Sequence, residues 1–156
     1  MLIPKEVLLY SGRQVGPLAW PDLHTDRTSP AQSSVTIMVV DDDERGRWVT
    51  ARMLRDEGYN VIEARSGEQA LERLADATEV QVVLTDLAMP GGLHGLELAE
   101  MAVAAAPWRR VILMTGYDEL LPKVAETGAR FPLLMKPFSA DQLARQVREV
   151  LGGEMH

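Results

Sequence analysis

From Val35 onward the apolar positions alternate between unbroken runs and stripes with a period near 3.6, and that alternation predicts the elements. The runs Val35 to Val40, Asn60 to Ala64, Val82 to Asp86, Arg110 to Met114 and Phe131 to Met135 read as short strands. In Val82 to Asp86 four of the five residues are apolar or β-branched and run without alternation to a terminal carboxylate, the pattern of a strand covered on both faces of a parallel sheet. Between the strands lie helical stripes. Glu44 to Glu57 predicts a helix with Val49, Met53 and Leu54 on one face, stopped at Gly58. Ser66 with Gln69 is a capping signature ahead of a stripe of Ala70, Leu71, Leu74 and Ala75. Leu93 to Ala106 predicts a third helix ended by Pro107, and residues 117–127 a fourth that contains Pro122. Ser139 with Gln142 opens a fifth, with Leu143, Val147, Val150 and Leu151 on one face and Gly152 and Gly153 at its end.

Five strands alternating with five helices through short loops predict an α/β fold, a doubly wound five-stranded parallel sheet with helices on both faces. In such a sheet ligands meet the carboxyl ends of the strands. The residues at those ends are Asp41, Asp42 and Asp43, then Asp86, Thr115 and Lys136. A lone Asp at a strand end most often caps the following turn, and a lone Lys there most often reaches along the surface to water. Six such residues at one edge change that balance. Carboxylates brought together raise one another's pKa unless a cation sits among them, and oxygen ligands suit a hard divalent ion such as Mg²⁺. Lysine usage adds to the picture, because the chain has three Lys against 13 Arg and places one of the three between Met135 and Pro137. An ammonium can meet a phosphoryl oxygen as a point charge, and a cis bond before Pro137 would aim it into the cleft.

The first 34 residues follow neither pattern. Pro4, Gly12, Gly16, Pro17, Pro21 and Pro30, with the polar cluster from Thr25 to Ser34, predict a flexible extension or a start-site artefact, leaving one domain over 35–153. Of the 16 basic and 23 acidic residues, that extension holds three of each, so the domain carries 13 against 20. This excess argues against nucleic acid as a partner. Cysteine is absent, no run approaches the length of a membrane span, and no leader precedes the domain, so the expected place is the cytoplasm. There is no GxxxxGK followed by Ser or Thr, no GxGxxG after a strand and no HExxH, which leaves nucleotide-binding and zinc-hydrolase readings without their parts. His94 reads as an exposed loop residue, and Trp108, Arg109 and Arg110 as a surface packing cluster.

VVDDD at 39–43, LTDLAMPGG at 84–92, LMTGY at 113–117 and LLMKPFS at 133–139 resemble, in order and at strand ends, the four signatures of CheY-like receiver domains of bacterial response regulators. The resemblance covers about residues 35–152 and implies a flavodoxin-like receiver fold. It implies Asp86 as phosphoacceptor, Mg²⁺ held by Asp41, Asp42, Asp86 and the Ala88 carbonyl, and Thr115 and Lys136 on the phosphoryl group, while Asp43 starts the first helix. Implied partners are a histidine kinase or histidine phosphotransfer protein, a downstream protein target, and a second copy in a phosphorylation-dependent homodimer. The family's switch aromatic, three positions before the lysine, is here Leu133, which leaves Phe131 or Tyr117 to replace it, or a surface of the fourth helix, fifth strand and fifth helix that switches by another route. Ala88 and Tyr117 stand where the family controls water access, and they imply a slow loss of phosphate. With four residues after Gly152, a stand-alone receiver without enzymatic activity beyond its own phosphorylation chemistry is expected. The alternatives are an Mg²⁺-dependent phosphotransferase or phosphatase of the haloacid dehalogenase type, whose DxDxT signature is missing, and a receiver cut from a hybrid kinase.

Overall fold

Val80, Thr36 and Asn60 start three neighbouring parallel strands, and the sheet grows from them. The computed structural model describes residues 35–116 and 130–152. The expected extension over 1–34 and the expected helix over 117–127 lie outside the described residues. In chain order the elements are β1 (Thr36–Val40), α1 (Glu44–Asp56), β2 (Asn60–Ala64), α2 (Gly67–Asp76), β3 (Val80–Asp86), α3 (Gly95–Ala105), β4 (Arg110–Thr115), β5 (Leu133–Met135) and α4 (Ala140–Gly152). The sheet order is β2-β1-β3-β4-β5, all parallel. That order reverses direction between β1 and β3, and a crevice opens at the carboxyl ends of the strands on either side of such a reversal.

Alternate residues of the buried strands feed two layers. Met38, Val40, Val83, Val111 and Leu113 pack with Ala70 and Leu74 of α2 and Leu98, Ala99 and Ala102 of α3. Ile37, Val39, Val82, Leu84, Ile112 and Met114 pack on the other side with Leu54 of α1 and Leu143 and Val147 of α4. This is the expected doubly wound fold. Among the described residues no helix is long and apolar enough to cross a membrane.

The ends of the elements differ from expectation for local reasons. On α1 the covered residues are Thr50, Ala51 and Leu54, while Val49 is exposed and Met53 half-buried. Small side chains at 50 and 51 let the helix lie close to the sheet, and this turns Val49 outward. Ala75 of α2 is likewise exposed. β5 begins at Leu133 because Pro132 has no N–H to give the ladder, although its carbonyl accepts from Leu113 N at 2.9 Å. α3 begins at Gly95, with His94 as its N-cap, and His94 N donates to Glu97 Oε1 at 3.1 Å. Ser139 and Gln142 close the full reciprocal cap on α4.

Arg109 corrects the reading of a surface cluster. Its side chain is buried, with Nε donating to Val80 O at 3.0 Å and Nη1 to Ala102 O at 3.4 Å, so it ties the start of β3 to the last turn of α3. Trp108 remains outside, with the guanidinium 5.1 Å from its ring centroid. Burial pulls the Arg109 pKa down from its ordinary value.

Candidate functional site

At the carboxyl end of β1 the chain turns through three successive aspartates, and each takes a different place. Asp41 is buried: its N–H donates to Ala64 O at 3.1 Å, extending the ladder to β2, and its Oδ1 accepts from Asp43 N at 3.0 Å. Asp43 turns away from the others to cap α1, accepting from Gly46 N at 3.0 Å. Asp42 stays exposed between them. Asp86 ends β3 and is buried, and one carboxylate oxygen from each of Asp41, Asp42 and Asp86 lies within 4.8 Å of the other two.

Lys136, half-buried just past β5, meets this group from the far side of the sheet. Its Nζ lies 3.2 Å from Asp41 Oδ2 and 3.4 Å from Asp86 Oδ2. Its backbone N–H donates to Thr115 O at 2.8 Å, and its peptide bond to Pro137 is cis, as its sequence context suggested. Thr115 is the last residue of β4 and fully buried. Five of the six strand-end residues singled out in the sequence therefore gather at one edge of the sheet, and Asp43 leaves it for the helix start.

The backbone beneath Asp86 is fixed from several directions. Thr85 Oγ1 donates to Asp86 O at 3.0 Å, and Leu87 N donates to Met114 O at 2.7 Å. After the loop the chain returns to its starting point, where Gly95 N donates to Leu87 O at 3.2 Å. A Cβ at Gly95 would overlap Asp86 O and come within 2.8 Å of Leu87 Cα, so only glycine lets the first turn of α3 approach the end of β3 this closely. The outer side of the loop hangs from α2, where Glu68 Oε2 accepts from Leu93 N at 2.9 Å. Ala88 lies in this loop, half-buried, two residues past Asp86.

Charge at the site is unbalanced. Burial, above all, raises Asp86 to about 6; Lys136 opposes this, and Asp41 and Asp42 add to it. For Lys136 burial acts to lower the pKa, yet Asp86 and Asp41 outweigh it and the ammonium is held above its ordinary value. One ammonium facing three carboxylates leaves net negative charge in a partly desolvated space lined with oxygen donors. The donor set fits a hard divalent cation such as Mg²⁺, with Asp41, Asp42 and Asp86 as the residues that would hold it.

Residues around the expected switch also have places. Leu133 is half-buried against the layer that holds Phe131, and the Phe131 ring is buried with the Arg130 guanidinium 5.0 Å from its centroid. Tyr117 lies outside the described residues. Sequence reasoning missed Arg47, Glu68 and Gly95. Arg47 and Glu68 resemble any charged helix residue, but Glu63 gave a signal, being a lone carboxylate inside the strand NVIEA; Arg47 Nε pairs with it at 3.1 Å.

The family profile described as the response regulator receiver domain matches residues 37–148. Among curated relatives, the sensor kinase CckA of Brucella abortus is 32% identical over 137 residues, a match that covers 86% of this chain and 14% of that protein. The DNA-binding transcriptional regulator NtrC of Escherichia coli is 36% identical over 117 residues, covering 74% and 24%. The chain thus spans less than a quarter of the length of either one. Among solved structures, the response regulator TrrA of Thermotoga maritima in complex with Mg²⁺ and BeF is 30% identical, with a TM-score of 0.66, and the match covers 74% of this chain and 97% of that one. The receiver domain of the hybrid histidine kinase CckA is 31% identical, with a TM-score of 0.61 and coverage of 73% and 96%.

Proposed function

This chain belongs to the response regulator receiver domain family of two-component systems, and from that premise we propose that Asp86 is its phosphoacceptor and that Asp41, Asp42, Asp86 and the Ala88 carbonyl hold Mg²⁺. The observation that carries the reading is the Lys136 ammonium shared between Asp41 and Asp86, at 3.2 and 3.4 Å. With its pKa near 6, Asp86 is the anion at neutral pH and can act as a nucleophile. One of its carboxylate oxygens forms a bond to the phosphorus of a phosphohistidine while the N–P bond breaks, and the departing imidazole keeps the electron pair and takes up a proton. Lys136 trades its contact with Asp86 for one with the incoming phosphoryl oxygens, and the Thr115 hydroxyl donates to another. Bound Mg²⁺ supplies charge neutralisation for the phosphoryl oxygens.

Receiver domains take phosphate from histidine kinases. The proposed donor is therefore a histidine kinase or a histidine phosphotransfer protein in the cytoplasm, and the proposed output is contact with a downstream protein or a second copy. Likeness to CckA supports the hybrid-kinase receiver subtype, and signalling by contact works whether the receiver stands alone or within a longer protein. Leu133 has no ring to turn inward, so the proposed switch is Thr115 moving toward the phosphate with Phe131, Tyr117 or the surface around β5 and α4 in place of the aromatic.

Intact-mass measurement after incubation with acetyl phosphate and Mg²⁺ tests the reading. One added phosphoryl group is expected in the wild type and none in Asp86→Asn. A phosphoryl group that persists in Asp86→Asn would move the acceptor elsewhere.

A further inference from the structure

Among the described residues, two of the three clustered carboxylates are steadied by partners and one is not. Asp41 is held by Asp43 N and Lys136 Nζ, and Asp86 by Lys136 Nζ at the end of a buried strand. Among the described residues nothing bonds the Asp42 side chain, which is exposed, yet its oxygen stays within 4.8 Å of the other two. Among the described residues, what fixes its place is the backbone that carries it. The peptide unit that joins Asp41 to Asp42 presents its carbonyl to Arg47, whose Nη1 donates to Asp41 O at 2.8 Å. Arg47 lies one turn into α1 and is itself oriented from β2, where Glu63 Oε1 accepts from its Nε at 3.1 Å. The Arg47 side chain is 16% exposed and that of Glu63 28%, so the pair is shielded, and a planar guanidinium can hold both acceptors at fixed angles as an ammonium cannot. Arg55 Nη1 reaches the other Glu63 oxygen at 3.3 Å, fixing the carboxylate as well.

We infer that Arg47 is a positioning residue for the acidic site: oriented by Glu63, its guanidinium clamps the Asp41–Asp42 peptide and thereby keeps the Asp42 carboxylate turned toward Asp41 and Asp86. The inference rests on the reading of that cluster as a Mg²⁺ site. Groups one step removed from a metal typically change its affinity by about 10–100-fold when lost, because they orient the ligands. Here the sign of the effect is diagnostic. Arg47 carries positive charge close to the cluster, so by charge alone its removal would strengthen binding of a divalent cation, whereas loss of the clamp weakens it.

The test is titration of the full chain with Mg²⁺ alone, followed by calorimetry, with circular dichroism to establish that each variant is folded at the titration temperature. Arg47→Met is expected to weaken Mg²⁺ by about tenfold or more, and Arg47→Lys, which keeps the charge and loses the fork, to weaken it as well. Glu63→Gln retains an acceptor for Arg47 Nε and should stay near the wild type, while Glu63→Leu should follow Arg47→Met. In an Asp42→Ala background Arg47→Met should add nothing, since it acts through Asp42. Unchanged or tighter binding by folded Arg47→Met, or an equal loss with and without Asp42, overturns the clamp. Should Arg47→Met fail to fold, Arg47→Lys and Glu63→Leu decide by the same criteria. A wild type that binds no Mg²⁺ overturns the metal reading instead, and the clamp with it.

Discussion

Lys136 Nζ lies 3.4 Å from Asp86 Oδ2, and still the Asp86 carboxyl is pushed up to about 6. Burial therefore outweighs the ion pair, and ionised Asp86 is a burden on the metal-free fold.

A pH dependence follows from that balance. A carboxyl whose folded pKa lies above its unfolded value, here about 6 against 3.8, holds its proton more tightly when folded. Its contribution to stability is complete below the unfolded value and is lost as pH rises through the folded one. Without metal, Asp86→Asn should thus be more stable than the wild type at neutral pH, on the order of 1–3 kcal/mol. That gap should shrink as the medium is acidified toward about pH 4. Urea unfolding of both proteins across this range is the measurement, and a gap that does not change with pH would refute it.

Mg²⁺ should reverse the burden. At a free concentration ~100 times its dissociation constant it adds about 2.7 kcal/mol to stability, and at that same concentration most of the gain should be lost in Asp42→Ala, which keeps two of the carboxylates and binds more weakly. Thermal unfolding with and without Mg²⁺ reads this directly, and a midpoint indifferent to millimolar Mg²⁺ would remove the cation from the site.

Gly95 and Gly91 should respond differently to alanine. At 95 the methyl group meets the Asp86 carbonyl and Leu87, so β3 or α3 must shift, at about 1–3 kcal/mol and, with Asp86 as the proposed acceptor, with slower phosphorylation by acetyl phosphate. At 91 nothing lies within 4 Å, but φ is +78°, so alanine costs about 1–2 kcal/mol through the backbone alone and should leave the phosphorylation rate unchanged. Equal rates in the two variants would show that the close approach at Gly95 does not position Asp86.

Arg109→Leu should take the guanidinium donor from Val80 O and the second donor from Ala102 O, which keeps Ala106 N, and destabilise the protein by about 1–3 kcal/mol. Its Mg²⁺ affinity, measured well below the unfolding midpoint, should match the wild type. Weakened binding in the folded variant would mean the two ends of β3 are coupled.

The sheet was legible because unbroken apolar runs such as Val82 to Leu84 have few other homes, and the strand-end residues could be assigned because parallel strands all finish at one edge. The division of labour among Asp41, Asp42 and Asp43 was harder to read. Helix capping and cation binding both call for carboxylates, and the resemblance rather than the spacing separated them. Arg109 was misread because an arginine beside a tryptophan before a strand carries no mark of burial. Its partners are two backbone carbonyls, from Val80 and Ala102, that come near one another only after the sheet and α3 have packed. Arg47 was missed for the same reason, since the Asp41 carbonyl it holds has no signature in sequence.

Seen lengthwise, β3 is a beam held at both ends. Its root at Val80 is bolted by Arg109 to a neighbouring helix, and its tip, pinned through Leu87 to Met114, bears at Asp86 a charge that the fold resists. A beam held in this way carries a changing load on the side chain at its tip. Exchanging a bare carboxylate for a phosphorylated one would then alter the tip and the loops that touch it, while the root keeps the strand in register with β1 and β4.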